Sequence, residues 1–242
     1  VATLYIDELR GLRQSGDIDI LVKGGFANVI ENAKKIGRIG KYSYVHAEWD
    51  VFEDTEVELH YRPSSMRNLI NNHRFQKWAE SFDQGDYEEH CGIVTPPLAF
   101  NRIYLLLHCY RHVIGAGIGL RQLMDYYYCI IRDGDNRYVV NLLKRFGLLR
   151  FASALMFVLH VVFGLPEEKF LVNPNAEYGE LLLNEIMQAG NFGHFDVRMS
   201  RDCEVGRIAN LKRKHSRNVQ IRRLSPDEVF WEVPFKLWHY LW

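Results

Sequence analysis

Arg13-Gln14-Ser15-Gly16-Asp17-Ile18-Asp19-Ile20-Leu21-Val22 is the stretch on which the fold turns. After Gly16 the residues alternate, with Asp17 and Asp19 to one side and Ile18 and Ile20 to the other, the period-two signature of a half-buried strand. Both carboxylates therefore face the same way, their α-carbons roughly 6.6 Å apart. Like charges at that spacing repel, and hard divalent cations held between them relieve the repulsion. Asp-x-Asp is a weak pattern, and a strand end whose solvent face happens to carry two acids fits it equally well.

Downstream, Lys23-Gly24-Gly25 signals a turn, and Phe26, Val29, Ile30 and Ala33 follow helical spacing, with Gly37 where a helix C-cap glycine belongs. Residues 42–49 read as a second strand, and Glu53 and Asp54 mark a turn. Thr55 to Tyr61 reads as a third strand, with Val57, Leu59 and Tyr61 on one face and Glu56, Glu58 and His60 on the other. Pairing it beside the first strand would bring a third carboxylate to the Asp17/Asp19 face. Two aspartates can hold two magnesium ions that clamp a nucleoside triphosphate, while a further carboxylate binds one ion and deprotonates an acceptor hydroxyl. Glu58, between two large apolar residues at the strand centre, is the candidate over Glu56. For either, a solvated strand face is the plain alternative.

Arg62-Pro63 ends the sheet region, because proline cannot donate to a ladder. From Met66 the apolar spacing becomes helical, with Leu69, Ile70, Phe75 and Trp78 near one face. Residues 83–95 are polar and Gly-containing and read as a linker closed by Pro96-Pro97. Everything beyond is predicted helical: 100–114, 120–132, a helix capped by Asp135 or Asn136 and ended by Gly147, 148–163 ended by Gly164, 177–187, a basic helix over about 201–219, and a last one entered through Ser225-Pro226-Asp227-Glu228. The predicted fold class is therefore α+β, a small mixed-sheet domain over residues 1–95 followed by an all-helical domain over 96–242.

With 242 residues, 48% hydrophobic, the chain can bury a sizeable core. Thirty Lys and Arg balance thirty Asp and Glu, which argues against a nucleic-acid coating protein. No apolar run approaches the ~20 residues that cross a bilayer, so no membrane partner is expected. The four widely spaced cysteines suggest neither a zinc ribbon nor a disulfide framework, and the expected location is cytoplasmic. Val1-Ala-Thr-Leu-Tyr5 has neither a basic start nor an initiator Met, and further sequence upstream is expected.

Several separate stretches together resemble one family: Leu12 to Val22, Val57 to Tyr61, Tyr104 to His112, Gly117 to Asp125, Ile186 to Gly193 and Pro234 to Tyr240. In this order they are similar to the bacterial uncharacterised nucleotidyltransferases, a branch of the DNA polymerase beta-like nucleotidyltransferase superfamily. The resemblance implies a small mixed-sheet catalytic domain before a helical one, and magnesium-dependent transfer of a nucleotidyl group from an NTP co-substrate, with two Mg2+ ions. It matches Asp17 and Asp19 to the metal-binding pair and Glu58 to the third acidic position. Ser15, Gly16 and Arg121 are the candidate nucleotide-binding residues. In the superfamily a Gly-Ser or Gly-Gly pair upstream of Asp-x-Asp holds the triphosphate with backbone amides; nothing between Val1 and Asp17 supplies that pair, and Lys23-Gly24-Gly25 follows the strand instead.

Other constellations carry alternatives. His108 and His112, four apart on one helix face, can chelate a transition metal or simply pack. Arg121 and Asp125 form an intrahelical pair, or Arg121 reaches across a cleft to the triphosphate. The basic residues between Arg207 and Arg223 are a solvated face or an attractor for phosphate. Asn191 reads as a turn residue, and the terminal aromatics Trp231, Phe235, Trp238, Tyr240 and Trp242 as packing. Two functional classes follow: an enzyme that moves a nucleoside monophosphate from an NTP to a hydroxyl on a small molecule or protein, or a regulatory module that binds nucleotide without turnover.

Overall fold

The computed structural model describes residues 16–90, 92–115, 117–190, 219 and 221–241. Strand β1 (Ile18–Leu21) runs into helix α1 (Gly25–Ala33) through Gly24 and Gly25, both at positive φ, a reversal that non-glycine residues resist. Strands β2 (Arg38–Tyr42), β3 (His46–Asp50) and β4 (Val57–His60) complete a four-stranded sheet in the order β1-β4-β3-β2. β1 lies parallel to β4, whereas β4 and β3, and β3 and β2, are antiparallel, so the sheet is mixed.

The sheet's two faces divide as the alternation requires. Val57, Leu59 and Tyr61 are buried, and Leu59 and Tyr61 pack with Ala47 against Val29, Ile30 and Ala33 of α1. Each fully buried side chain of this size contributes about 1.5–3 kcal/mol. The opposite face carries Asp19, Glu58, His46 and His60, with Asp19 paired to Glu58 and His46 to His60.

The segment expected to be one strand over 42–49 is two. The Ser43 hydroxyl accepts hydrogen bonds from the amides of Val45 and His46, so the chain turns there before starting β3. Gly37 does not cap α1, whose last residue is Ala33. It lies just before β2, where an added Cβ would meet Val51 Cγ1 at 2.7 Å and the Asp50 carbonyl oxygen at 2.9 Å.

Helix α2 (Leu69–Glu80) is capped by Asn68, whose side chain accepts from the amides of Ile70 and Asn71. Its buried face is Phe75 and Trp78 together with Asn71, Asn72 and Gln76, whereas Ile70, expected inside, is exposed. The asparagines are buried because they have partners: Asn72 Oδ1 accepts from the Met66 amide, and its Nδ2 donates to Tyr44. The predicted linker contains a two-stranded hairpin, β5 (Glu88–His90) and β6 (Ile93–Thr95).

Helices α3 (Leu98–Ile114), α4 (Leu120–Ile130), α5 (Asn136–Arg145), α6 (Leu149–Phe163) and α7 (Ala176–Ala189) share one large core, into which α2 inserts Phe75 and Trp78. Trp78 stacks on Phe100 at 5.2 Å and donates its indole N–H to Tyr138. Asp135 caps α5, and Gly164, left-handed at φ 68, ends α6, both as read from the sequence. Two further helices, α8 (Pro226–Phe230) and α9 (Glu232–Leu241), follow. Ser225 precedes Pro226, but its hydroxyl bonds to Tyr110 rather than capping α8. Trp238 packs edge-on against Tyr44 at 4.8 Å. Most of the predicted basic helix, and Asn191, lie outside the described residues. Among those described, no helix is long and apolar enough to cross a membrane.

Candidate active site

The parallel register of β1 on β4 sets Asp19 directly beside Glu58, and Asp17 precedes β1 by a single residue. One oxygen from each of Asp17, Asp19 and Glu58 lies within 4.8 Å of the other two. The sequence-predicted trio thus converges on one point. Three hard oxygen donors at that separation are a donor set that suits Mg2+. The electrostatics agree: although Asp17 is on an exposed edge, partial desolvation and then the charges of Asp19 and Glu58 raise its carboxyl above the usual range. A cation held at the shared point would relieve that crowding.

Two histidines complete the cluster. His60 Nε2 lies 2.9 Å from Asp19 Oδ1 and 3.1 Å from Glu58 Oε2, and its Nδ1 lies 3.3 Å from the Arg62 carbonyl oxygen. Both sets of partners only accept, so both ring nitrogens carry hydrogen and the ring is an imidazolium. Burial works against that charge, but the hydrogen bonds from Asp19 and Glu58 outweigh it and hold the pKa at about 9. His46 Nδ1 approaches Glu58 Oε2 at 2.8 Å. Hydrogen bonds from His46 and then His60 hold the Glu58 carboxyl far below the usual carboxylate range. Neither histidine was assigned a role from the sequence, although the alternation that placed Glu58 on the acid face also placed His60 there. What was missing was the β3–β4 register that brings His46 opposite His60.

Helix α3 lies within electrostatic reach of the sheet face. Tyr104, His108, Arg111 and His112 recur at helical spacing, and the charges of the sheet face reach all four: Asp19 acts on Tyr104, His108 and His112, and Glu58 on Tyr104, Arg111 and His112. The His108 and His112 rings touch at 4.4 Å between centroids. Burial and the neighbouring His112 push His108 down to about 4, so it is neutral at pH 7. Among the described residues, no third ligand joins the pair.

The other predicted site residues stand apart. Gly16 is exposed just ahead of β1, and Ser15 lies outside the described residues. Arg121 is exposed in the first turn of α4. The one basic residue of the 207–223 stretch with a described partner, Arg223, pairs with Glu177 at 2.5 Å.

A mixed sheet that presents clustered carboxylates toward a following set of helices is the architecture anticipated for a nucleotidyl-transfer domain. The family described as uncharacterised nucleotidyltransferase matches residues 8–164, well over half of the 242, and the chain belongs to that family. No curated protein and no solved structure shows a significant match.

Proposed function

We infer that this protein is a magnesium-dependent nucleotidyltransferase that moves a nucleoside monophosphate from an NTP to a hydroxyl-bearing acceptor, with release of pyrophosphate. The observation that carries this reading is the meeting of Asp17, Asp19 and Glu58 on one face of the sheet, in a chain of a nucleotidyltransferase family. These three carboxylates would hold two Mg2+ ions, which supply charge neutralisation at the attacked phosphorus when bound.

The chain's own groups do the positioning. β1 and β4, fixed by their ladder, hold Asp19 and Glu58 side by side. Glu58, with two imidazole partners and a depressed pKa, serves as a ligand rather than as the acceptor of a proton. Tyr104 and Arg111 of α3, within reach of the Glu58 charge, would help to position the acceptor. Catalysis of this kind rests on orientation and electrostatics, so loss of one aspartate removes turnover while the fold remains.

The test is transfer of α-labelled nucleotide in lysate, for the parent and for Asp17→Asn and Asp19→Asn. Label on protein or on small molecules identifies the acceptor class. If the variants bind Mg2+–NTP and transfer label as well as the parent does, the assignment fails. A module that binds nucleotide without turnover is the second reading. The observation favouring it is that His60 already satisfies Asp19 and Glu58. It predicts nucleotide binding with no pyrophosphate release.

A further inference from the structure

The carboxylate trio is built of oxygen alone, yet one of its members also belongs to a second cluster that is built on nitrogen. His46, Glu58 and His60 each offer one donor atom, and these atoms lie within 4.8 Å of one another. We propose that His46 Nδ1, Glu58 Oε2 and His60 Nε2 form a separate site for a borderline first-row cation of the Zn2+ class, with Glu58 shared between this site and the carboxylate trio.

Donor chemistry is the first argument. Imidazole nitrogens suit Zn2+, Cu2+ and Ni2+, whereas Mg2+ takes oxygen, so two imidazoles beside a carboxylate select a different ion from three carboxylates. Spacing is the second. Ligand bonds of about 2.0–2.2 Å to a tetrahedral Zn2+ set neighbouring donors roughly 3.4 Å apart. Here His46 and His60 approach Glu58 Oε2 at 2.8 and 3.1 Å, separations that hydrogens bridge and that a cation replaces after a small opening.

Support of the ligands is the third argument. His46 and His60 lie opposite each other on adjacent antiparallel strands, their rings 5.0 Å apart edge to face, so the backbone ladder holds both. The Arg62 carbonyl accepts from His60 Nδ1 at 3.3 Å, which leaves Nε2 as the coordinating nitrogen, the outer-shell arrangement typical of metal-bound histidine. Access is the fourth: the His46 side chain is 30% exposed against 9% for His60, so an ion arrives from the His46 side and a water can fill the remaining position.

The proposal separates the roles of single residues. Asp17 belongs only to the oxygen cluster, His46 only to the nitrogen cluster, and Glu58 to both. An ion at the histidines draws Glu58 away from the aspartates and slows transfer; that consequence rests on the nucleotidyltransferase reading, and the binding itself does not.

The experiment titrates the full chain with Co2+, follows the visible absorption, and displaces Co2+ with Zn2+. One equivalent with the intense band of a four-coordinate site is expected. Outer-shell changes already cost about 10–100-fold in metal affinity, so His46→Gln and His60→Gln are expected to weaken Zn2+ by at least that. Asp17→Asn is expected to hold Zn2+ as the parent does. Circular dichroism checks each fold, and half-exposed His46 carries the test if His60→Gln does not fold. Undiminished Zn2+ affinity in His46→Gln, equal loss in Asp17→Asn, or no four-coordinate Co2+ band overturns the proposal. Loss of magnesium-nucleotide binding alone bears only on the transferase reading.

Discussion

Two regions of this molecule each bury a cationic side chain, and they neutralise it in opposite ways. In the helical core Arg102, 1% exposed, is surrounded by neutral acceptors: the carbonyls of Cys129, Ile130 and Arg132 at the end of α4, and Asn136 Oδ1 at 2.8 Å. On the sheet His60, also buried, sits between the carboxylates of Asp19 and Glu58. Carbonyl groups at a helix C-terminus bring only partial negative charge and bind a cation by fitting its shape. Carboxylates carry full charge and accept any cation that reaches them. The first region holds the helices together and has no chemistry to offer. The second is held together by a charge that another ion can replace.

The contrast is broken most severely at the aspartates. Removing one electrostatic group from such a centre costs on the order of 10²–10³-fold in turnover, so Asp17→Asn, which leaves the His60 hydrogen bonds to Asp19 and Glu58 in place, is expected to lose transfer by roughly 100–1,000-fold with little change in melting temperature. A label-transfer assay and a thermal melt on one preparation check this. Arg102→Met is expected to do the reverse. It leaves several buried carbonyls without a donor, at about 1–3 kcal/mol each, and urea unfolding should show a loss of roughly 3 kcal/mol or more with normal activity per folded molecule.

The pH dependence sharpens the comparison further. His60 has a folded pKa of about 9 against 6.5 for the free side chain. Its contribution is fully present below 6.5 and is lost as pH rises through about 9. With a chelator present, stability is expected to fall by up to ~3 kcal/mol across that window, and in His60→Gln the curve flattens. Glu58, whose pKa is depressed, loses its contribution at the acid end instead, below the ordinary carboxylate range. The two have the His60–Glu58 hydrogen bond in common and are not additive. The smallest effect is expected at Asn68→Ala, where a neutral cap on α2 is lost, at about 1 kcal/mol, read from the urea midpoint.

The acid trio was legible because strand alternation fixes which way a side chain points, so Asp17 and Asp19 share a face by that alone and Glu58 joins them once β4 is paired beside β1, a pairing the resemblance to the family supplied. The Asp135 cap and the Gly164 stop were legible for the same local reason. The β2–β3 turn was not, because it depends on one hydroxyl, Ser43, folding back on the amides of Val45 and His46 in a stretch whose alternation continues without a break. The burial of Asn72 in α2 was hidden too, since one of its partners, Tyr44, comes from elsewhere in the chain. His46 belongs to the same class: its place beside Glu58 is set by strand pairing, which no single segment encodes.

The Glu228 carboxylate, buried in α8, accepts the amides of Arg67 and Asn68 at 2.7 and 3.1 Å, a bond that spans 160 positions of sequence in the second case. The segment leaving β4 is therefore fastened by a group that is translated long after it. A nascent chain can pair β1 with β4 early and seat the Met66 amide on Asn72 soon after, but the amides of Arg67 and Asn68 gain their carboxylate acceptor only when α8 has emerged from the ribosome, so this joint closes late.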